Sequence, residues 1–362
     1  MEVRYDWAMQ ARRAARIAAL VLAGSPLAGC AGDGYYAQSI EGHFALMGAR
    51  EDVDRLIRDD ETPEALRSRL VLAEEIRAFA VEALALPDNG SYRTYADIGR
   101  DVVTWNVVAT PPLALDPVAW CFPVFGCVAY RGYFDEDEAI GFARTLVAEG
   151  LDVTIGGSIA YSTLGWFRDP LLNTIIFDPD YALAGTIFHE MAHQLLYVND
   201  DSMFNESYAV AVEREGMRRW LAVHGTPDLA AAYRAGEQRR EDFVTLVLAA
   251  RDRLAVLYAS DRSDAEKLLR KADIFDQLRA DYRVLRVSWD GYGGYDRWFA
   301  QDLNNANLAS IATYNAIVPA FDALLASVGG DMAAFHAAAE ALGGLPKTER
   351  DAALARLAAG TG

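Results

Sequence analysis

The chain has 362 residues, 52% of them apolar and 24% charged, with 34 basic and 52 acidic side chains. That is the composition of a globular protein long enough to bury real cores without a metal or a disulfide to hold it together. A net charge of −18 excludes a protein built to bind nucleic acid, which needs a basic footprint. No apolar run approaches the roughly 20 residues of a membrane-spanning helix, which excludes a polytopic membrane protein.

Residues 1–29 read as a separate object. Arg12, Arg13 and Arg16 precede a short apolar stretch from Ile17, which ends in Leu27-Ala28-Gly29-Cys30. A basic region, an apolar region too short to span and small residues at the cut are the marks of a secretory signal. The last four residues resemble the lipobox of bacterial lipoproteins, which implies acylation of Cys30 as the first residue of the mature chain and attachment to a membrane through that lipid. The expected location is the periplasmic side of the cell envelope. Ala31, where an aspartate would signal inner-membrane retention in some bacteria, points to the outer membrane. The two remaining cysteines, Cys121 and Cys127, are six positions apart in CFPVFGC, and an exported chain meets an oxidising compartment, so they are expected to be bridged rather than to clip a metal.

Residues 30–362 are expected to form one α+β domain. Residues 31–86 read as two helices, the first through IEGHFALMGAREDVDRLI and the second opened by Thr62 as N-cap with Pro63 at its first position. A sheet-containing part follows over about 91–178. Its strands are expected in DVVTWNVVAT, VFGCVAYRGYF, LDVTIGGSIAYSTLGW and NTIIFD, with one helix in FDEDEAIGFARTLVAEG between the second and third. From Tyr181 strand signals almost vanish. Metal-site helices are expected over about 181–223 and a helical C-terminal part over about 229–360, with breaks at Gly225-Thr226-Pro227, SWDGYGGYD and Val328-Gly329-Gly330.

The chemistry lies in the first of these helical segments. His189-Glu190-Met191-Ala192-His193 has the spacing HExxH. Residues i and i+4 of a helix lie one turn apart on one face, so both imidazoles can reach one metal ion, while Glu190 is displaced to meet the water instead. A catalytic zinc site needs a third protein ligand and an open fourth position. After a short loop Asn205-Glu206-Ser207-Tyr208-Ala209 opens another helix, and Glu206, thirteen residues after His193, is the expected third ligand. His224, Asp200, Asp201 and Glu213 are its rivals; His224 reads as a helix C-terminal cation, the two aspartates as turn residues, and Glu213 as a partner that orients a histidine. Glu190 is the expected general base. For the donor to the oxyanion, Tyr314 comes first, with Tyr295 and Tyr208 behind it. The substrate backbone is expected to add to a sheet edge in SIAYSTLGW, with Tyr161, Ser162 and Gly165 lining it and Asn205 nearby. Asn304 and Asn305 read as a helix start.

The pair HExxH and Asn205, Glu206, Ala209 resembles the gluzincins, thermolysin-like metallopeptidases whose third ligand is a Glu on a following helix. The mature chain is also similar to a bacterial family of zinc aminopeptidase lipoproteins, on TWNVVATP, CFPVFGCVAYRGYF, YSTLGWFRDPLLNTII, the HEMAH to FNES segment and LNNANLASIATYNAIVPAF. The resemblance implies a zincin-like, compact gluzincin core with a small mixed sheet, one zinc ion and peptide substrates. Two other readings stay open from sequence: an endopeptidase of envelope proteins, and a non-catalytic lipoprotein with a structural zinc site.

Overall fold

The computed structural model describes residues 33–122 and 126–360; Cys30 and the expected signal segment lie outside the described residues. In chain order the elements are α1 (Asp33–Gly48), β1 (Arg50–Asp52), α2 (Val53–Arg58), α3 (Glu64–Leu84), β2 (Thr94–Ala96), β3 (Thr104–Thr110), β4 (Trp120–Phe122), β5 (Gly126–Val128), β6 (Arg131–Tyr133), α4 (Glu136–Ala148), β7 (Asp152–Ser158) and β8 (Leu171–Leu172). Helices alone follow among the described residues: α5 (Asn173–Ile176), α6 (Asp180–Leu195), α7 (Ser202–His224), α8 (Pro227–Tyr258), α9 (Asp264–Ser288), α10 (Asp296–Phe299), α11 (Asn305–Asn315), α12 (Val318–Ser327), α13 (Met332–Gly343) and α14 (Lys347–Ala359). The class is mixed α+β, as the sequence predicts.

The strands form two three-stranded sheets, ordered β1-β2-β8 and β6-β3-β7, and a hairpin of β4 with β5. In the second sheet β3 is central and antiparallel to both neighbours, with Val107 opposite Ile155 and Trp105 opposite Gly157. Cys121 and Cys127 face each other across the hairpin and are disulfide-bonded.

Several expectations are corrected. IEGHFALMGAREDVDRLI is not one helix: it is interrupted by β1, which pairs with β2, and resumes with Asp52 capping α2 at Arg55 N. Pro63 rather than Thr62 stands at the N-cap of α3, and Thr62 is buried. NTIIFD is not a strand. Leu171 and Leu172 pair briefly with β2, and Asn173–Ile176 is one helical turn that turns its apolar side chains into the core, which is why its composition mimics a buried strand. The third strand ends at Ser158, so Tyr161, Ser162 and Gly165 lie in the following loop.

Local signals explain the helix starts. Asp135 accepts from Glu138 N, and acids fill the first turn of α4; Thr226 caps α8 ahead of Pro227; Ser263 and Glu266 form a reciprocal capping box on α9. The main core packs α3, α6, α7, α12 and α13 around Phe188, Phe204, Tyr208, Phe321 and Phe335, all fully buried. A second core sits between α8, α9 and α11, and a third beneath the β6-β3-β7 sheet against α4. Against the expectation that no apolar run approaches a membrane span, one stretch, Asn305–Ser327, has that length and composition, with mean hydropathy 1.4. In the fold it is two helices, and Asn305 and Asn307 are buried at its start, where Asn305 donates to Pro111 O, Pro112 O and Ala114 O.

His336 supplies a pH-dependent contact in the main core. Its Nε2 donates to Leu84 O at 2.8 Å, which leaves Nδ1 to accept from the Tyr208 hydroxyl at 2.8 Å. Burial lowers the pKa of this imidazole, against the opposing pull of the Leu84 carbonyl. A histidine kept neutral in the fold takes up its proton more readily once unfolded. Its contribution is therefore complete above the ordinary histidine range near 6.5 and is lost as the pH falls below it. Chemical denaturation at pH 7.5 and pH 5.5 is expected to show a smaller drop in stability for His336→Gln than for the native chain; equal drops would assign the pH dependence elsewhere.

Candidate functional site

The site is built where α6 crosses α7. Buried Phe188, Met191 and Ala192 seat α6 on the core, and the HExxH spacing turns His189 and His193 toward α7. Two small residues let the helices close up: a Cβ on Gly185 would stand 3.3 Å from the Glu213 carboxylate, and one on Gly216 would sit 2.6 Å from the Phe188 ring. On α6 His193 Nε2 lies 3.2 Å from His189 Nε2, and across the gap each Nε2 lies 3.4 Å from Glu206 Oε2 on α7.

These separations test whether the group fits a metal. Ligands about 2.0–2.1 Å from a tetrahedral zinc stand roughly 3.3 Å apart. The three donor atoms already have that spacing, and they converge from two helices on one point. Glu213 Oε2 is 3.1 Å from His189 Nδ1, so it fixes the ring with Nε2 pointing at the cluster. His193 Nδ1 is buried with no hydrogen-bond partner among the described residues.

Charge is concentrated here. Burial works against a charged His189, but the Glu206 and Glu213 carboxylates outweigh it and hold its pKa well above the ordinary range. Burial would raise Glu206, yet His193 and His189 pull it down to about 2, so the carboxylate is ionised. For Glu190 burial prevails and pushes the carboxyl up despite both histidines. Asp169 is fully buried nearby, and burial lifts it to about 6 although Thr163 donates to it through Oγ1 at 2.6 Å and N at 3.0 Å.

A cleft beside the cluster is lined by Gly157, Ser158, Ile159, Ala160, Thr186, His189, Glu190 and Glu213. Its sheet wall is the end of β7, one of the two edge strands of the β6-β3-β7 sheet. Ser158 O accepts from Val103 N, so the backbone of even-numbered β7 residues faces β3 and that of Ile155 and Gly157 faces outward. Asn304 Nδ2 covers the outward Val153 O at 2.9 Å.

The other expected residues fall in different places. Tyr314 on α11 is at the site, its ring 6.4 Å from that of His189 at an angle of 25°. The Glu206 charge above all holds its phenol protonated far beyond the ordinary range, although the residue is 36% exposed. Tyr208 points away to His336, and Tyr295 stacks on Phe243 in the second core at 4.1 Å, so neither faces the cluster. The Tyr161 hydroxyl is hydrogen-bonded with His43 Nδ1 at 2.9 Å, Ser162 Oγ accepts from Leu164 N, and Gly165, with φ 77°, passes over Gln194. These three belong to a loop leaving the cleft, because the chain turns away from β3 after Ser158.

Asn205 is buried, clamping the α6–α7 loop through Val198 N and Val198 O at 2.8 Å each. Among the rival ligands, Asp200 accepts from Cys127 N at 2.6 Å and tethers the disulfide hairpin. Asp201 is not a solvated turn residue: it is buried, caps α7 at Phe204 N and pairs with Arg350. His224 ends α7 and stacks on Trp220 at 3.8 Å.

Tyr130 and Tyr197 join the site without any sequence signal. Burial raises both phenols, and the Glu206 charge raises them further. Tyr130 follows the disulfide hairpin, and Tyr197 lies in the α6–α7 loop. Loss of the Tyr314 hydroxyl in Tyr314→Phe is expected to lower kcat by roughly 10²-fold with KM little changed, as for removal of one oxyanion donor. If Tyr130→Phe shows that loss instead, the donor is Tyr130.

Fold and site together define a mixed α+β protein in which two histidines and a glutamate meet beside a cleft along a free sheet edge. The chain belongs to the putative aminopeptidase family, whose profile matches residues 34–354. Membership points to a peptidase and to peptide substrates. No curated protein and no solved structure matches it.

Proposed function

We propose that this protein is a zinc-dependent aminopeptidase with a zincin-like, compact gluzincin core, lipid-anchored through Cys30 on the periplasmic side of the outer membrane. The observation that carries the reading is the convergence of His189 Nε2, His193 Nε2 and Glu206 Oε2 at mutual distances of 3.2–3.4 Å. His189, His193 and Glu206 would hold the ion, with Glu213 behind His189. A zinc ion bound there supplies Lewis acidity, lowering the pKa of water and polarising a scissile carbonyl.

The chain's own residues supply the rest. Glu190, its carboxyl raised by burial, takes a proton from the attacking water and returns it to the leaving amine. Tyr314 keeps its proton and donates it in a hydrogen bond to the developing oxyanion. The outward backbone groups of Ile155 and Gly157 receive the peptide as an added strand, and Asn304 closes that edge at Val153. An aminopeptidase needs an anion for the substrate's α-amino group. Of the acids near the metal motif in sequence, Asp200 and Asp201 are engaged away from the cleft, whereas Glu213, which holds His189 Nδ1 through Oε2, lines the cleft and is the acid placed to meet the amine.

The test compares peptides with free and acetylated N-termini, before and after removal of metal by a chelator and return of zinc. Cleavage of the free-amine peptides alone, lost with chelator and restored by zinc, is the expected result. Cleavage of both would make the enzyme an endopeptidase, and activity indifferent to chelator would sink the zinc assignment.

A further inference from the structure

The outer face of α1 lacks the polarity that a solvent-facing helix carries. Between Gly34 and Gly48 the one charged side chain is Glu41, while Tyr36, Ile40 and Phe44 recur every four residues and are 46, 52 and 65% exposed. By contrast, the exposed Leu269, Val284 and Val287 of α9 are interleaved with Lys, Arg, Asp and Glu, as expected of a solvated face. The α1 stripe also continues beyond its own helix. His43, its ring 5.5 Å from that of Phe44, packs 4.6 Å from the ring of Phe167, so Phe167 and its neighbour Trp166, each about half exposed, adjoin the stripe at its His43 end. Scattered exposed apolar residues need no explanation, but five large ones gathered from two segments do.

The chain itself says what covers them. Cys30 stands three residues before Asp33, the first residue of α1. Three residues span at most about 10 Å, so an acyl group on Cys30 holds the first turn of α1 against the bilayer. Tryptophan and tyrosine with aliphatic neighbours are the side chains that settle at the headgroup boundary. With a net charge of −18 the contact is apolar rather than electrostatic, and it does not call for anionic lipid.

We propose that Tyr36, Ile40 and Phe44, with Trp166 and Phe167, form a docking face for the lipid bilayer to which Cys30 is tethered. The inference rests on the acylation of Cys30 proposed above. Docking would also orient the site, because the loop that carries Trp166 and Phe167 begins with Ile159 and Ala160 in the cleft wall. Peptide substrates would then be taken from the layer next to the membrane surface.

The tether can be supplied chemically, which separates the two claims. The mature chain has one free thiol, Cys30, once Cys121 and Cys127 are bridged, and it can be coupled to a maleimide-headgroup lipid in phosphatidylcholine vesicles with brominated acyl chains. Bromine is expected to quench tryptophan emission in the native chain, with the quenched component lost in Trp166→Leu, which keeps the face apolar. Ile40→Glu with Phe44→Glu, both exposed, is expected to abolish the quenching without changing the melting temperature. Equal quenching in the native chain and Trp166→Leu would overturn the proposal. So would a dimer of the untethered chain that the double Glu variant disperses, since the face would then belong to a second copy. Absence of an acyl group on Cys30 of the native protein, read by mass spectrometry, would overturn the proposal at its tether, whereas failed quenching with the lipid supplied would overturn it at the face.

Discussion

Glu190→Gln is expected to lower kcat by about 10²–10⁴-fold, the usual contribution of a positioned general base, while zinc content and fold stay as in the native chain. The expectation follows from where Glu190 stands. It lies on the helix that carries His189 and His193, lines the cleft, and is not one of the three groups whose atoms converge. Its carboxyl is raised by burial, which makes it a better proton acceptor than a surface carboxylate at the same pH. Gln keeps the shape and a hydrogen bond but cannot take the proton. Steady-state kinetics on a free-amine peptide, beside metal analysis of the same samples, decide the matter. Undiminished turnover would mean that no residue at position 190 acts as base, and would favour a structural zinc site.

The second large effect concerns the support of the site. Arg350 lies on α14, and its guanidinium reaches Asp201 Oδ2 through Nε at 3.0 Å and an Nη at 2.8 Å, with both side chains about 95% buried. Asp201 also caps α7, which carries Glu206 one turn further on. Removing one partner of a buried pair strands the other charge, at a cost of about 3–5 kcal/mol. Arg350→Met is therefore expected to destabilise the protein by that amount, because the mostly exposed Lys347, 3.3 Å from Asp201, can compensate only part of it. In the double variant with Asp201→Ser, which retains an N-cap oxygen, the loss should be smaller than the sum of the two single losses. Additive losses in urea unfolding would show that the pair is not coupled.

What could be read from the chain before its structure divides by range. HExxH is a local pattern: two histidines four apart on a helix share a face whatever surrounds them. The helix breaks at Gly225-Thr226-Pro227 and Val328-Gly329-Gly330 are local too, and both stand where expected. Tyr130 and Tyr197 were not legible, because they come near Glu206 through a disulfide hairpin and an interhelical loop whose placement no spacing encodes. Asp201 reads as a turn residue until Arg350, 149 positions away, is brought onto it. The short strands β1 and β8 arise from pairing with β2 and carry no periodic signal of their own in two or three residues. The sheet edge beside the cleft lies earlier in the chain than SIAYSTLGW suggests, because the pairing with β3 stops at Ser158.

The most direct test of the whole account is the zinc content of the purified mature chain beside Glu206→Ala. The arrangement of His189, His193 and Glu206 predicts about one zinc per chain, retained through gel filtration, and loss of most of it in the variant with the fold intact by circular dichroism. A native chain that holds no zinc, or a Glu206→Ala variant that holds as much as the native one, would contradict it.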